Sequence, residues 1–217
     1  SMNSRQVLGT QAAIVFDFDG TVALGHGPVL AYAKAIPEEL LSDPAAFAEQ
    51  VDAALADIDD MKSPYRDGYH AIAELAIAQG IDTQELSQAY STSRGLLGTE
   101  QAPVQMPEKL PELLAAIAPH VWVVLATNAP KDGIEKLLAD WKVNGFVDQL
   151  SFNTRKPAGL SALIEELGAQ RILAIGDIAE NDLAPAAELG AQTLLVTPHH
   201  TLDDAFEDII SWAQQGE

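Results

Sequence analysis

Ala12-Ala13-Ile14-Val15-Phe16-Asp17-Phe18-Asp19-Gly20-Thr21 runs from five apolar residues into two acids that bracket a phenylalanine and are closed by a glycine. A short apolar run of this kind reads as a strand buried on both faces. Side chains two apart on an extended chain share a face, so Asp17 and Asp19 point one way while Phe18 turns to the core. Gly20 then lets the backbone turn sharply. In open parallel sheets ligands bind beyond the carboxyl ends of the strands, and the acid pair stands at such an end. Two carboxylates there can ligate a hard cation such as Mg²⁺, or divide into a nucleophile and a proton carrier. Two plainer readings compete. Asp-Gly is a common turn dipeptide. A calcium loop of the EF-hand kind fits worse, with Val22 where its glycine belongs and Pro28 where its glutamate belongs.

Outward from this stretch, further apolar runs at 121–126, 171–175 and 192–196, and a weaker one at 148–152, read as buried strands. Helical patterns at 131–141, 160–167 and 179–189 lie between them, the last closed by Gly190. Strands alternating with single helices predict a doubly wound, Rossmann-like α/β core with a parallel sheet. Between the first and second strands the pattern is helical alone. Asp43-Pro44 starts one helix reaching 58, Ser63-Pro64 starts a second ending at Gly80, and Asp82 with Glu85 marks a third over 82–97. Residues 108–117 lead into the second strand. The expected division is a core of 1–22 and 103–217 with a smaller all-helical domain of 23–102; that insertion is too long for a crossover connection.

Composition narrows the function. Of 217 residues 47% are hydrophobic and 20% charged, the balance of a packed globule. With no cysteine there are no disulfides, thiolate zinc sites, iron–sulfur clusters or cysteine nucleophiles, which points to an intracellular, cytoplasmic protein. No apolar stretch reaches the ~18–20 residues that span a bilayer, and Ser1 to Thr10 lacks the basic and apolar regions of a signal peptide. Ser1 ahead of Met2 reads as an expression scar. Against 12 Lys and Arg stand 32 Asp and Glu, a net charge of −20, so nucleic acids and anionic membranes are not the expected partners. A small anionic substrate is compatible with this surface if a metal or a few placed cations cancel the field locally.

Three more strand ends carry polar residues. Thr127-Asn128 follows the second strand, where a hydroxyl and turn amides could donate to a phosphoryl oxygen; alone, it also reads as a helix cap. Arg155-Lys156-Pro157 follows the third apolar run, and Pro157 stiffens the loop that carries Lys156. A lone lysine is ordinarily a solvated charge, but beside clustered carboxylates it becomes a counter-ion for them and for phosphate. Asp177, after Gly176, and Asp182, about one helical turn on, supply a second pair of acids, which could equally serve a helix dipole.

The order of these elements, D-F-D-G-T, then Thr127, then Lys156, then Gly176-Asp177 with Asp182, resembles the haloacid dehalogenase superfamily. The resemblance covers 12–21 and 104–198, and the helical insertion matches the cap of that superfamily's helical-cap branch in position and length. It implies a phosphoric monoester hydrolase in which Asp17 attacks phosphorus and Asp19 serves as general acid and base. It implies Mg²⁺ held by Asp17, Asp177 and the backbone carbonyl of Asp19. Thr127 would bind a phosphoryl oxygen, Lys156 would neutralise nucleophile and phosphate, and Asp182 would orient Lys156 or a metal-bound water. The expected partner is a small phosphorylated metabolite, and the sequence leaves the oligomeric state open. Where many phosphoglycolate-type phosphatases of the family carry Asp-Ser after the first motif, this chain has Val22-Ala23. The family's dehalogenases lack the second acid, here Asp19, whereas a phosphomutase keeps every residue named. A catalytically silent acidic binding module is the reading from outside enzymes.

The insertion holds Lys34, Lys62, Arg66 and Arg94 against thirteen acids from Glu38 to Glu100. Any of these cations could meet a leaving group; Arg66 is the substrate-binding candidate, and surface charge is the plainer reading of each. Asn128 is a further substrate-binding candidate. Gly25-His26-Gly27-Pro28 lacks the third glycine of a dinucleotide loop and reads as a hinge. His199-His200 read as a solvated loop, and Trp122, Trp141 and Trp212 as packing. No G-x-S-x-G supports serine hydrolysis.

Overall fold

The computed structural model describes residues 11–215. Five strands, β1 (Ala12–Phe16), β2 (Val121–Ala126), β3 (Gln149–Ser151), β4 (Arg171–Gly176) and β5 (Gln192–Leu195), form one parallel sheet in the order β3-β2-β1-β4-β5. The chain winds outward from β1 to β2 and β3, then returns to the other side of β1 for β4 and β5. The winding therefore reverses between β1 and β4, and the crevice beyond their carboxyl ends is where such sheets bind ligands. Register sharpens this: Phe16 pairs with Ile175 and with Leu125, so the residues just past all three strands emerge side by side.

The helices are α1 (Gly27–Ala35), α2 (Pro44–Asp59), α3 (Gly68–Ala78), α4 (Thr83–Gly95), α5 (Leu110–Ile117), α6 (Ile134–Asp140), α7 (Ala158–Leu167), α8 (Ala184–Glu188) and α9 (Phe206–Gln214). A π-type turn over Ala179–Leu183 runs into α8. On one sheet face Ala13, Val15, Trp122, Val124 and Ala174 pack under Leu160, Leu163 and Ile164 of α7. Their neighbours Ile14, Phe16, Val123, Leu125, Leu173 and Ile175 point to the opposite face and are buried as well, which is why these strands read as unbroken apolar runs. The doubly wound α/β core is thus the architecture present. Among the described residues no helix is long and apolar enough to cross a membrane.

The chain divides into two compact units, one ending its first segment at Leu24 and resuming at Met106, the other spanning Gly25–Gln105 together with Asp132–Ile134. Ala23 stays with the sheet because its N–H donates to Phe18 O at 3.0 Å and its carbonyl accepts from Gly20 at 2.8 Å. Within the helical unit Val29, Tyr32, Phe47, Val51, Leu55 and Ile72 form one apolar core.

The stretch read as a hinge stands where the helical unit begins, at Gly25, and also opens helix α1: a Cβ on Gly27 would collide with Pro103, and Pro28 sits in the first turn, where a missing N–H does no harm. Two local expectations change. The second helix of the insertion begins at Gly68 rather than at Ser63-Pro64. Ser63 Oγ instead accepts from Tyr65 N at 3.0 Å in a local turn, and Asp67 caps the helix through His70 N at 2.8 Å. Strand β5 is an exposed edge rather than a buried strand, with Gln192, Thr193 and Leu195 open to solvent.

Candidate active site

Each candidate group in the sheet unit sits on a loop leaving a strand. After β1, Asp17 N donates to Ile175 O at 2.9 Å, tying the end of β1 to β4. The carbonyl of Phe18 accepts from Thr21, Val22 and Ala23 at 3.0–3.1 Å, so the D-F-D-G-T turn is wound by its own backbone. Phe18 is fully buried against Trp141, ring centroids 6.5 Å apart. Gly20 adopts φ +82°, and a Cβ there would strike the Asp177 carboxylate; only glycine satisfies both demands.

Asp17, Asp177 and Asp182 present carboxylate oxygens within 4.8 Å of one another. Asp19 is half-buried beside Gly20 and is not one of the three. A Cβ on Gly176 would meet Asp182, so the glycine before Asp177 is what lets the second acid of that motif approach β4. The π-type turn brings Asp182 Oδ2 back to accept from Ile178 N at 3.0 Å.

Lys156 binds this cluster together. Its ammonium donates to Asp17 Oδ1 at 2.7 Å, Asp182 Oδ1 at 2.7 Å and Ala126 O at 3.0 Å, which uses all three of its protons. Burial works against the charged lysine, but the two carboxylates outweigh it and raise its pKa above the ordinary value. Asp17 is pushed up to about 6: burial raises it most, the Lys156 charge pulls it down, Asp182 raises it, and a hydrogen bond with Asp177 lowers it. Three carboxylates around one ammonium leave the cluster net negative in a poorly solvated place. An all-oxygen donor set with that charge fits a small, hard divalent cation.

Thr127, buried at the end of β2, accepts from Ala129 N at 3.0 Å through Oγ1, which leaves its hydroxyl proton to donate. The Asn128 side chain accepts from Lys156 N at 2.6 Å and donates to Lys156 O at 3.3 Å. Arg66 belongs to the helical unit, exposed on the turn before α3, with its backbone N–H on His70 Nδ1 at 3.1 Å. His199 and His200 are exposed in a tight turn bridged from Thr197. The sequence reading did not single out the Ala126 carbonyl, the buried Thr21 hydroxyl 3.5 Å from Asp17 Oδ2, or the space-making role of Gly176. The last could have been found from the Gly-Asp pair at a strand end.

Residues 11–190 match the family model of haloacid dehalogenase-like hydrolases, and the chain belongs to that family. Solved structures share its fold. A protein described as a predicted phosphoglycolate phosphatase from Haemophilus somnus 129PT is 16% identical, covers 95% of this chain and 99% of its own, and superposes with a TM-score of 0.61. The magnesium-bound HAD-hydrolase YfnB of Bacillus subtilis is 13% identical over 92% of this chain and 99% of its own, with a TM-score of 0.59. A 2-haloacid dehalogenase from Pseudomonas syringae pv. tomato DC3000 is 16% identical over 94% and 99%, with a TM-score of 0.54. Comparison with the curated proteins gives no match.

Proposed function

We propose that this protein is a cytoplasmic, Mg²⁺-dependent phosphatase that hydrolyses a small phosphorylated metabolite through an aspartyl-phosphate on Asp17. The observation that carries the reading is the shared ammonium, with Lys156 Nζ 2.7 Å from Asp17 and 2.7 Å from Asp182. A carboxylate can approach a dianionic phosphate only where a fixed cation offsets the repulsion, and this one is fixed on three sides.

In this mechanism an Asp17 carboxylate oxygen bonds to phosphorus as the bond from phosphorus to the alcohol oxygen breaks. Asp19 gives its proton to that departing oxygen. It then takes a proton from the water that attacks the aspartyl-phosphate, releasing inorganic phosphate and restoring the Asp17 carboxylate. The Thr127 hydroxyl donates to a phosphoryl oxygen, Lys156 holds the charge on nucleophile and phosphate, and Asp182 holds Lys156. The carboxylates of Asp17 and Asp177 and the main-chain carbonyl of Asp19 would hold Mg²⁺, which when bound supplies positive charge against the phosphoryl oxygens. Asp19 speaks against the dehalogenase reading, in which that acid has no work.

A metabolite-phosphate panel with Mg²⁺ tests the proposal. Release of phosphate by the wild type and not by Asp17→Asn is the expected result. Equal turnover by both would sink it, and transfer of the phosphoryl group to a second hydroxyl instead of water would make the protein a mutase.

A further inference from the structure

Asn128 offers a backbone clamp where a substrate ligand was expected. Its amide oxygen accepts from Lys156 N at 2.6 Å and its amide nitrogen donates to Lys156 O at 3.3 Å, a paired contact on the one residue that bridges Asp17 and Asp182. The loop it grips is not one the chain adopts by preference. Asn153 at φ +48° and Arg155 at φ +62° are both left-handed without being glycine, which disfavours the loop in isolation. Two further bonds bind the same loop to the turn after β2, Asn153 N to Ala129 O and Thr154 N to Thr127 O, both at 2.9 Å. Pro157 has no N–H, so the amide of Lys156 is the donor through which the segment next to the ammonium can be held.

We propose that Asn128 is a positioning residue that acts through Lys156: by fixing that backbone it keeps the ammonium on Asp17 and Asp182. The kinetic side of this inference rests on the phosphatase reading above; the clamp itself does not. Misplacing a catalytic cation by about 1 Å costs on the order of 100-fold in rate. In Asn128→Ala, kcat should fall roughly 10- to 100-fold with KM held within about threefold, and Asn128→Asp, which keeps the acceptor for Lys156 N–H, should recover part of the loss. Independently of turnover, amide hydrogen exchange at Lys156 should quicken at least about tenfold in Asn128→Ala. A raised KM with unchanged kcat would overturn the proposal in favour of substrate contact. Unchanged exchange at Lys156, or a lowered melting temperature with unchanged kcat and KM, would overturn it too. If the wild type hydrolyses no phosphomonoester, the phosphatase reading fails alone and the exchange measurement still decides the clamp.

Discussion

The turns after β1 and β3 hold opposite charges of the same site by opposite means. After β1, the carbonyl of Phe18 gathers three N–H groups from within the next five residues, so the turn that follows Asp17 is wound by the local sequence, while Asp17 N itself is tied to Ile175 O of β4. After β3, Lys156 is placed by partners distant in the chain: Asn128, 28 residues away, and Thr127 and Ala129 of the same turn. A turn wound by its own residues is the less sensitive to changes elsewhere, whereas a loop held entirely by long-range bonds fails when its neighbours do. The Lys156 side of the site should accordingly be the side that remote mutations disturb.

The sharpest way to break this contrast is at the acid itself. Asp17→Asn should lower kcat/KM by on the order of 10⁴-fold while circular dichroism and melting temperature stay close to wild type, because the turn around it is untouched. A variant that instead unfolds would show that the β1 turn depends on the carboxylate. Lys156→Met should do both kinds of damage. It leaves Asp17 and Asp182 buried together without their counter-charge, and removing one member of a buried pair costs roughly 3–5 kcal/mol, read by urea denaturation at pH 8. The deficit should shrink at pH 5, where Asp17 takes up a proton.

A gentler test uses protons alone. With its pKa raised from 3.8 to about 6, Asp17 in the metal-free fold binds a proton that the unfolded chain releases. The stability from this group is therefore full below the unfolded value and lost as pH rises through 6. Since a cation and a proton compete for the same carboxylate, Mg²⁺ affinity should weaken about tenfold per pH unit below 6, measured by isothermal titration calorimetry between pH 5 and 8. Affinity flat across that range would remove Asp17 from the metal's ligands. The smallest effect separates shape from conformation. Gly20→Ala meets the Asp177 carboxylate as well as a left-handed φ and should cost activity, whereas Gly168→Ala, at φ +61° with open space around it, should cost only about 1 kcal/mol in stability.

The same contrast governs what could be read from the sequence. The strand and turn over Ala12–Thr21 were legible because periodicity, a glycine and the acid spacing all act within a few residues. Lys156 was legible as a position in a motif, but its grip by Asn128 was not, since nothing in a Thr-Asn dipeptide reveals a partner 28 residues on. Helix α1 was hidden behind Gly25-His26-Gly27-Pro28, whose glycines read as flexibility although Gly27 answers to the crowding of Pro103. Strand β5 read as buried from its apolar residues, and only the strand order makes it an edge.

The stacking of Phe18 on Trp141, at 6.5 Å, has a practical consequence. The phenyl ring lies between the two acids in sequence, and the indole rests on it from α6's far end, so any ion or ligand that draws the acid pair inward shifts the surroundings of a fluorophore. Trp122 is bonded through Nε1 to Gln149 at 2.9 Å and Trp212 lies under the Arg171 guanidinium at 4.3 Å, both anchored elsewhere in the sheet unit. With those two changed to phenylalanine, emission from Trp141 becomes a built-in gauge of what enters the crevice, requiring no label and no turnover.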